Sequence, residues 1–154
     1  MAEPDATMIR IGRGTALGQQ GDRAAARHLL AEVWADIGGG QGDALHRCAL
    51  AHAMADVQDD VHDELAWDLR ALDAAGSVTD ERAAAAGVAG TVAGFYPSLH
   101  LNLGECYRKL GDLDAAREHL RRGRAAIGAL ADDGYGRLVV IGLDRLAERL
   151  AAPG

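Results

Sequence analysis

The chain has 154 residues, which is enough to form a hydrophobic core without disulfides or bound metal. Its net charge of −7 at pH 7 argues against a nucleic-acid-binding protein, because binding to phosphates requires a dominant basic face. The sequence contains 32 alanines but six aromatic residues, a composition that favours close helix packing over sheets. Because no segment shows the two-residue alternation of a strand, we expect an all-α fold.

The N-terminus has no basic segment followed by an apolar segment, so no secretory signal is predicted. No apolar run approaches the roughly 18–20 residues of a membrane span, and we expect a cytoplasmic protein that does not bind membranes. Fifteen of the sixteen basic residues are arginine. Together with the many Ala, Gly and Asp residues, this bias is typical of a GC-rich and bacterial genome.

Two helical hairpins are predicted in the first half, at about 5–37 and 42–75. In the first hairpin, Gly21 and Asp22 interrupt the helical pattern, and Asp22 can cap the helix that follows. The second hairpin contains the segment HRCALAHAMADVQDDVHDE, residues 46–64, which includes a lengthened acidic turn without glycine. Leu65, Leu69 and Leu72 form the apolar stripe of its second helix.

Residues 76–96 are predicted to form an insert with a short, imperfect helix. Ser77 or Thr79 can cap this helix, whereas Gly87 and the later glycines weaken it. Pro97 is suited to the first turn of the next helix.

The third predicted hairpin, at about 97–130, has the clearest pattern in the chain. Leu103 and Tyr107 lie on one helical face, and Gly104 allows a neighbouring helix to approach closely. Gly111 can adopt a left-handed turn, and Asp112 can cap the second helix. The apolar stripe of that second helix then includes Ala116 and Leu120.

This order of residues resembles the tetratricopeptide repeat (TPR). The first hairpin has matching residues at Gly14, Leu17, Gly21, Asp22, Ala26 and Leu30, and the second at Leu50, Ala51 and Met54. The resemblance implies a single domain, 1–154, built as an α-solenoid of about three hairpins with an inserted short helix. A helix at 132–151 would cap the array with a polar outer face.

The resemblance also implies a concave groove lined by the first helix of each hairpin. The offsets of the family place the following residues in this groove: Leu45, Cys48, His52, Asp56, Ser98, Leu101, Asn102, Glu105, Arg108 and Lys109. The function implied is that of a non-catalytic adaptor or scaffold that binds a protein or peptide segment and needs no cofactor. A homodimer is a second expectation, which the sequence leaves open.

The alternative is a metal-binding or small-molecule-binding site in the same groove, with or without enzymatic activity. Cys48, His52 and Asp56 are spaced i, i+4 and i+8, which places them on one helical face, and Cys, His and Asp can all bind zinc. However, the segment contains no HExxH motif and no second strong ligand pair. A Cys48–His52 nucleophile and base would need a third orienting group, which the sequence does not identify.

Asn102, Arg108 and Lys109 resemble the residues with which some TPR domains hold a terminal carboxylate of a peptide. The matching positions of the other two hairpins are neutral or acidic, so a complete carboxylate clamp is not predicted. Glu105 and Arg108 are instead predicted to form an i, i+3 ion pair.

Overall fold

A computed structural model describes residues 4–152, and the predicted all-α fold is confirmed over this range, which contains no strand. The α-helices of the described range are α1 (Ala6–Gln19), α2 (Arg23–Asp36), α3 (Ala44–Asp56), α4 (Val61–Ala75), α5 (Asp80–Ala85), α6 (Tyr96–Lys109), α7 (Leu113–Ala125) and α8 (Gly134–Ala151). Short 3-10 helices occur at Gly39–Gln41, Val92–Phe95 and Ile127–Ala129.

The helices are divided between two compact units, with the boundary between Ala89 and Gly90. We call Met1–Ala89 the first unit and Gly90–Gly154 the second. The boundary lies inside the predicted insert, so α5 belongs to the first unit and the 3-10 helix Val92–Phe95 to the second. The solenoid arrangement expected from the TPR resemblance stays a prediction.

In the first unit, α1 packs against α2, α3 packs against α4, and both α1 and α2 contact α3. Glycine and aspartate form the turn of the first hairpin as predicted. Gly21 has a φ of +91°, and the Asp22 carboxylate accepts a hydrogen bond from the Ala25 N–H at 3.2 Å. The buried core of the unit includes Ile11, Leu30, Val33, Leu50 and Met54.

The turn between α3 and α4 is closed by arginines from α2 rather than by a glycine. Arg23 donates to the Asp56 and Gln58 carbonyls at 3.1 and 2.8 Å, and Arg27 donates to the Val57 carbonyl at 2.6 Å. These guanidinium groups bind carbonyls at the C-terminus of α3, where a positive charge is favoured by the helix dipole. Arg23 and Arg27 therefore hold α2 against the acidic turn.

In the second unit, α6 and α7 form a hairpin, and α8 packs against both helices. Gly111 has a φ of +83°, and Asp112 caps α7 by accepting from the Ala115 N–H at 3.1 Å. A Cβ atom added at Gly104 would lie 2.6 Å from Leu146 Cδ2, so glycine at this position allows α8 to lie against α6.

The buried face of α8 is formed by three apolar residues, and two other large apolar side chains remain exposed. Its core contacts come from Val139, Leu143 and Leu146, whereas Leu138 is 68% exposed and Ile141 is 45% exposed. Successive residues of an α-helix are rotated by about 100° around its axis. When Val139, Leu143 and Leu146 face the core, Leu138 therefore points away from it. The outer face of α8 exposes charged residues, as expected of a cap, but it also exposes these two apolar side chains.

Candidate functional site

The candidate site is a small pocket between α1 and α3, the first helices of neighbouring hairpins. Its volume is about 140 Å³, enough for one side chain. The lining residues are Thr15, Gly18, Gln19, Ala53, Asp56 and Val57. Of the sequence-predicted groove residues, Asp56 lies in this pocket.

The pocket exists because α1 comes close to the end of α3. A Cβ atom at Gly18 would lie 2.7 Å from Val57 Cγ1, so a larger residue would push the two segments apart. The Thr15 hydroxyl donates to the Ile11 carbonyl of its own helix at 3.2 Å. The walls are therefore mainly apolar, and the polar groups of Gln19 and Asp56 are exposed at the rim.

Asp56 is the charged residue that lines the pocket, and groups of both signs lie near it. Partial desolvation by its surroundings, together with the charge of Glu64, raises the pKa of Asp56. His52 and Arg23 act in the opposite direction on this pKa. A cation placed beside Asp56 would favour its charged form, so this position is suited to an ammonium or guanidinium group.

Two of the other predicted groove residues of α3 are not accessible. Leu45 is 2% exposed and Cys48 is 5% exposed, so both side chains are part of the packed interior. His52 is half-buried. The pattern i, i+4, i+8 placed Cys48, His52 and Asp56 on one face, but it could not show that this face turns inward at Cys48.

The environment of Cys48 also disfavours nucleophilic chemistry. Burial raises the pKa of the Cys48 thiol to about 11, and Arg47 offsets only part of this shift. Since the thiolate is the reactive form, Cys48 is an unreactive thiol at neutral pH. Within residues 4–152, no three His, Cys, Asp or Glu side chains are grouped so that they could hold a metal ion.

The predicted groove residues of the second unit lie on α6 and several contact neighbouring helices. Ser98 Oγ donates to the Phe95 carbonyl at 3.3 Å. Leu101 packs on α8, where a Cβ atom at Gly142 would lie 2.5 Å from Leu101 Cδ2. Asn102 is half-buried, and Lys109 is exposed.

Glu105 lies between two arginines. Arg108 donates to Glu105 Oε2 at 3.2 and 3.0 Å, which confirms the predicted i, i+3 ion pair, and Arg149 of α8 donates to Oε1 at 2.6 Å. Burial raises the pKa of Glu105, but the hydrogen bonds from both arginines outweigh burial and lower it. Leu101 and Glu105 thus stabilise α8 on α6, and this contact occupies part of the face assigned to a groove.

A polar cluster in the first unit was not predicted from the sequence. His46 Nε2 lies 2.9 Å from Asp5 Oδ2, and Arg82 of α5 binds Asp5 and Asp43 at 3.2 and 3.0 Å. The two aspartates also cap helices, since Asp5 accepts from the Met8 N–H and Asp43 from the His46 N–H. The caps could be recognised in the sequence, but their common partner, Arg82, is 39 or more residues away.

Across residues 4–152 we find no helix with both the length and the apolar character that crossing a membrane requires. The chain matches no known family model, no curated protein and no solved structure.

Proposed function

We propose that this protein is a non-catalytic binding module that holds a basic peptide segment in the pocket between α1 and α3. The observation that supports this proposal is the pocket itself, which has apolar walls and an aspartate at its rim. The TPR resemblance supports the same surface, because it assigns the first helices of adjacent hairpins to a partner groove.

The chemistry of the pocket favours lysine or arginine as the anchoring residue of the peptide. The aliphatic part of either side chain would contact Gly18, Ala53 and Val57, and its cationic end would reach Asp56. The net charge of −7 would also attract a basic segment before contact.

The proposal can be tested by selecting peptides from a random displayed library and measuring their affinity by calorimetry. The selected peptides should contain lysine or arginine, and Asp56→Asn should weaken their binding by roughly tenfold, which corresponds to about 1.4 kcal/mol. Because Asp56→Asn preserves the size of the side chain and Asp56 is exposed, the helical spectrum should not change.

Asp73→Asn is the matched control, since Asp73 is an exposed aspartate of the same unit on α4. This variant should bind the selected peptides within about twofold of the wild type, a difference of roughly 0.4 kcal/mol. If no peptide is selected, or if the selected peptides bind Asp56→Asn as tightly as the wild type, the proposed function is wrong.

A further inference from the structure

The outer face of α8 exposes apolar residues together with charges of both signs. Leu138 and Ile141 are 68% and 45% exposed, and Ile141 borders an open depression of about 360 Å³. The remaining lining residues of the depression are Ile127, Leu130, Ala131, Asp132, Gly136, Arg137 and Val140. An exposed apolar surface of this kind is typical of an interaction site.

The charges on this face are arranged so that the face is complementary to itself. Arg137, Ile141 and Glu148 are spaced i, i+4 and i+11, which places them on one side of the helix. Arg137 and Glu148 are both exposed and lie about 16 Å apart along the helix axis. A second copy of α8 in the antiparallel direction would bring Arg137 opposite Glu148 at both ends.

We infer that the protein forms a homodimer by antiparallel pairing of α8 with α8 of a second copy. In this arrangement Ile141 contacts Ile141 of the other copy near the twofold axis, and Leu138 packs on the aliphatic part of Arg145. The intramolecular contact between Asp144 and Arg124, at 3.6 Å, offsets the repulsion between the two Asp144 carboxylates across the axis.

The size of the surface indicates a weak dimer. An α-helix of 18 residues is about 27 Å long, so one helix face buries less than the roughly 800 Å² per partner of a standard interface. We therefore expect a dissociation constant in the range of about 10 to 100 μM. The residues involved are different from those of the peptide pocket, so the dimer does not depend on the proposed function.

Sedimentation equilibrium between 5 and 500 μM tests the dimer directly. The wild type should show a reversible monomer–dimer equilibrium, and Leu138→Lys should be monomeric over the whole range. Because Leu138 is 68% exposed, this variant should keep the helical spectrum and melting temperature of the wild type. Asp56→Asn should dimerise like the wild type.

Charge exchange tests the antiparallel orientation. Arg137→Glu and Glu148→Arg should each weaken the dimer about tenfold, and the double variant should return to within about threefold of the wild type. The contact of Arg137 with Asp132 is lost in both Arg137→Glu and the double variant, so it cancels when these two variants are compared with each other. A monomer at 500 μM, or a dimer that neither Leu138→Lys nor the charge variants weaken, would overturn the inference.

Discussion

At the scale of single residues, the sequence indicated helix caps but not the longer-range contacts of the same side chains. Asp5 is 15% exposed, and this partial burial by itself raises the pKa of its carboxylate. Hydrogen bonds from His46, from the Met8 N–H and from Arg82 outweigh burial and lower the pKa to about 2. A cap that also binds His46 and Arg82 fixes the N-terminus of α1 relative to α3 and α5.

His100 and His119 form the least expected pair in the second unit. Their Nδ1 atoms are 3.0 Å apart, and both rings belong to a stacked column with Tyr96 and Tyr107. Burial, followed by the charges of His119 and Arg122, lowers the pKa of His100 to about 4, although Glu118 acts in the opposite direction. The pair is therefore held in the neutral form at physiological pH.

The lowered pKa of His100 predicts a dependence of stability on pH. At His100 the folded state binds a proton less readily than the unfolded state. The stability that neutral His100 contributes is therefore complete above about pH 6.5 and is lost as the pH falls towards 4. We expect the free energy of unfolding of the second unit to decrease by about 2 to 3 kcal/mol over this range.

Urea unfolding at several pH values, followed by tyrosine absorbance, measures this effect. All three tyrosines of the sequence lie in the second unit and both tryptophans lie in the first, so the two signals can be separated. His100→Gln should reduce the pH dependence, whereas His28→Gln should not, because His28 is exposed on α2. An unchanged slope in His100→Gln would contradict the assignment.

At the scale of helices, Gly104 was predicted to allow a neighbouring helix to approach closely. For Gly104→Ala we expect a loss of about 1 to 2 kcal/mol in the free energy of unfolding, because Leu146 is fully buried and its Cδ2 lies 2.6 Å from the new Cβ.

Gly12 lies in the middle of α1 with no atom within 4 Å of an added Cβ. Gly12→Ala should therefore stabilise the protein by about 0.5 to 1 kcal/mol.

Thermal and urea unfolding by circular dichroism provide the comparison between these two variants. We expect Gly104→Ala to lower the free energy of unfolding and Gly12→Ala to raise it. A stabilised Gly104→Ala protein would show that α8 does not need glycine at this position of α6.

The same scale shows why part of the fold could be predicted from the sequence and part could not. Gly21, Asp22, Gly111 and Asp112 act within three or four residues of their own positions, so their roles as turns and caps can be recognised locally. The burial of Cys48 depends on which helices cover it, which one helical period does not specify.

The α8 register illustrates the same limit. Leu138 and Val139 are adjacent and both are apolar. Which of the two is buried depends on how α8 packs against α6 and α7. The apolar pattern was therefore sufficient to locate α8 but not to predict which side faces the solvent.

At the scale of the whole molecule, the two compact units have different surfaces. The first unit has a pocket between α1 and α3 with Asp56 at its rim, and the second has a helix face that exposes apolar residues and charges of both signs. Most other charged side chains described above are engaged in ion pairs or caps. We therefore expect one molecule to bind a peptide through its first unit and a second copy through its second unit.

The most direct test of the proposed function is amide hydrogen exchange with and without a selected lysine- or arginine-containing peptide. We expect increased protection at residues 15–19 and 53–57, which contain the residues that line the pocket, and no change on α8 at a protein concentration below the dimer range. Protection confined to residues 127–141, or no change at 15–19 and 53–57 with a peptide that binds, would contradict it.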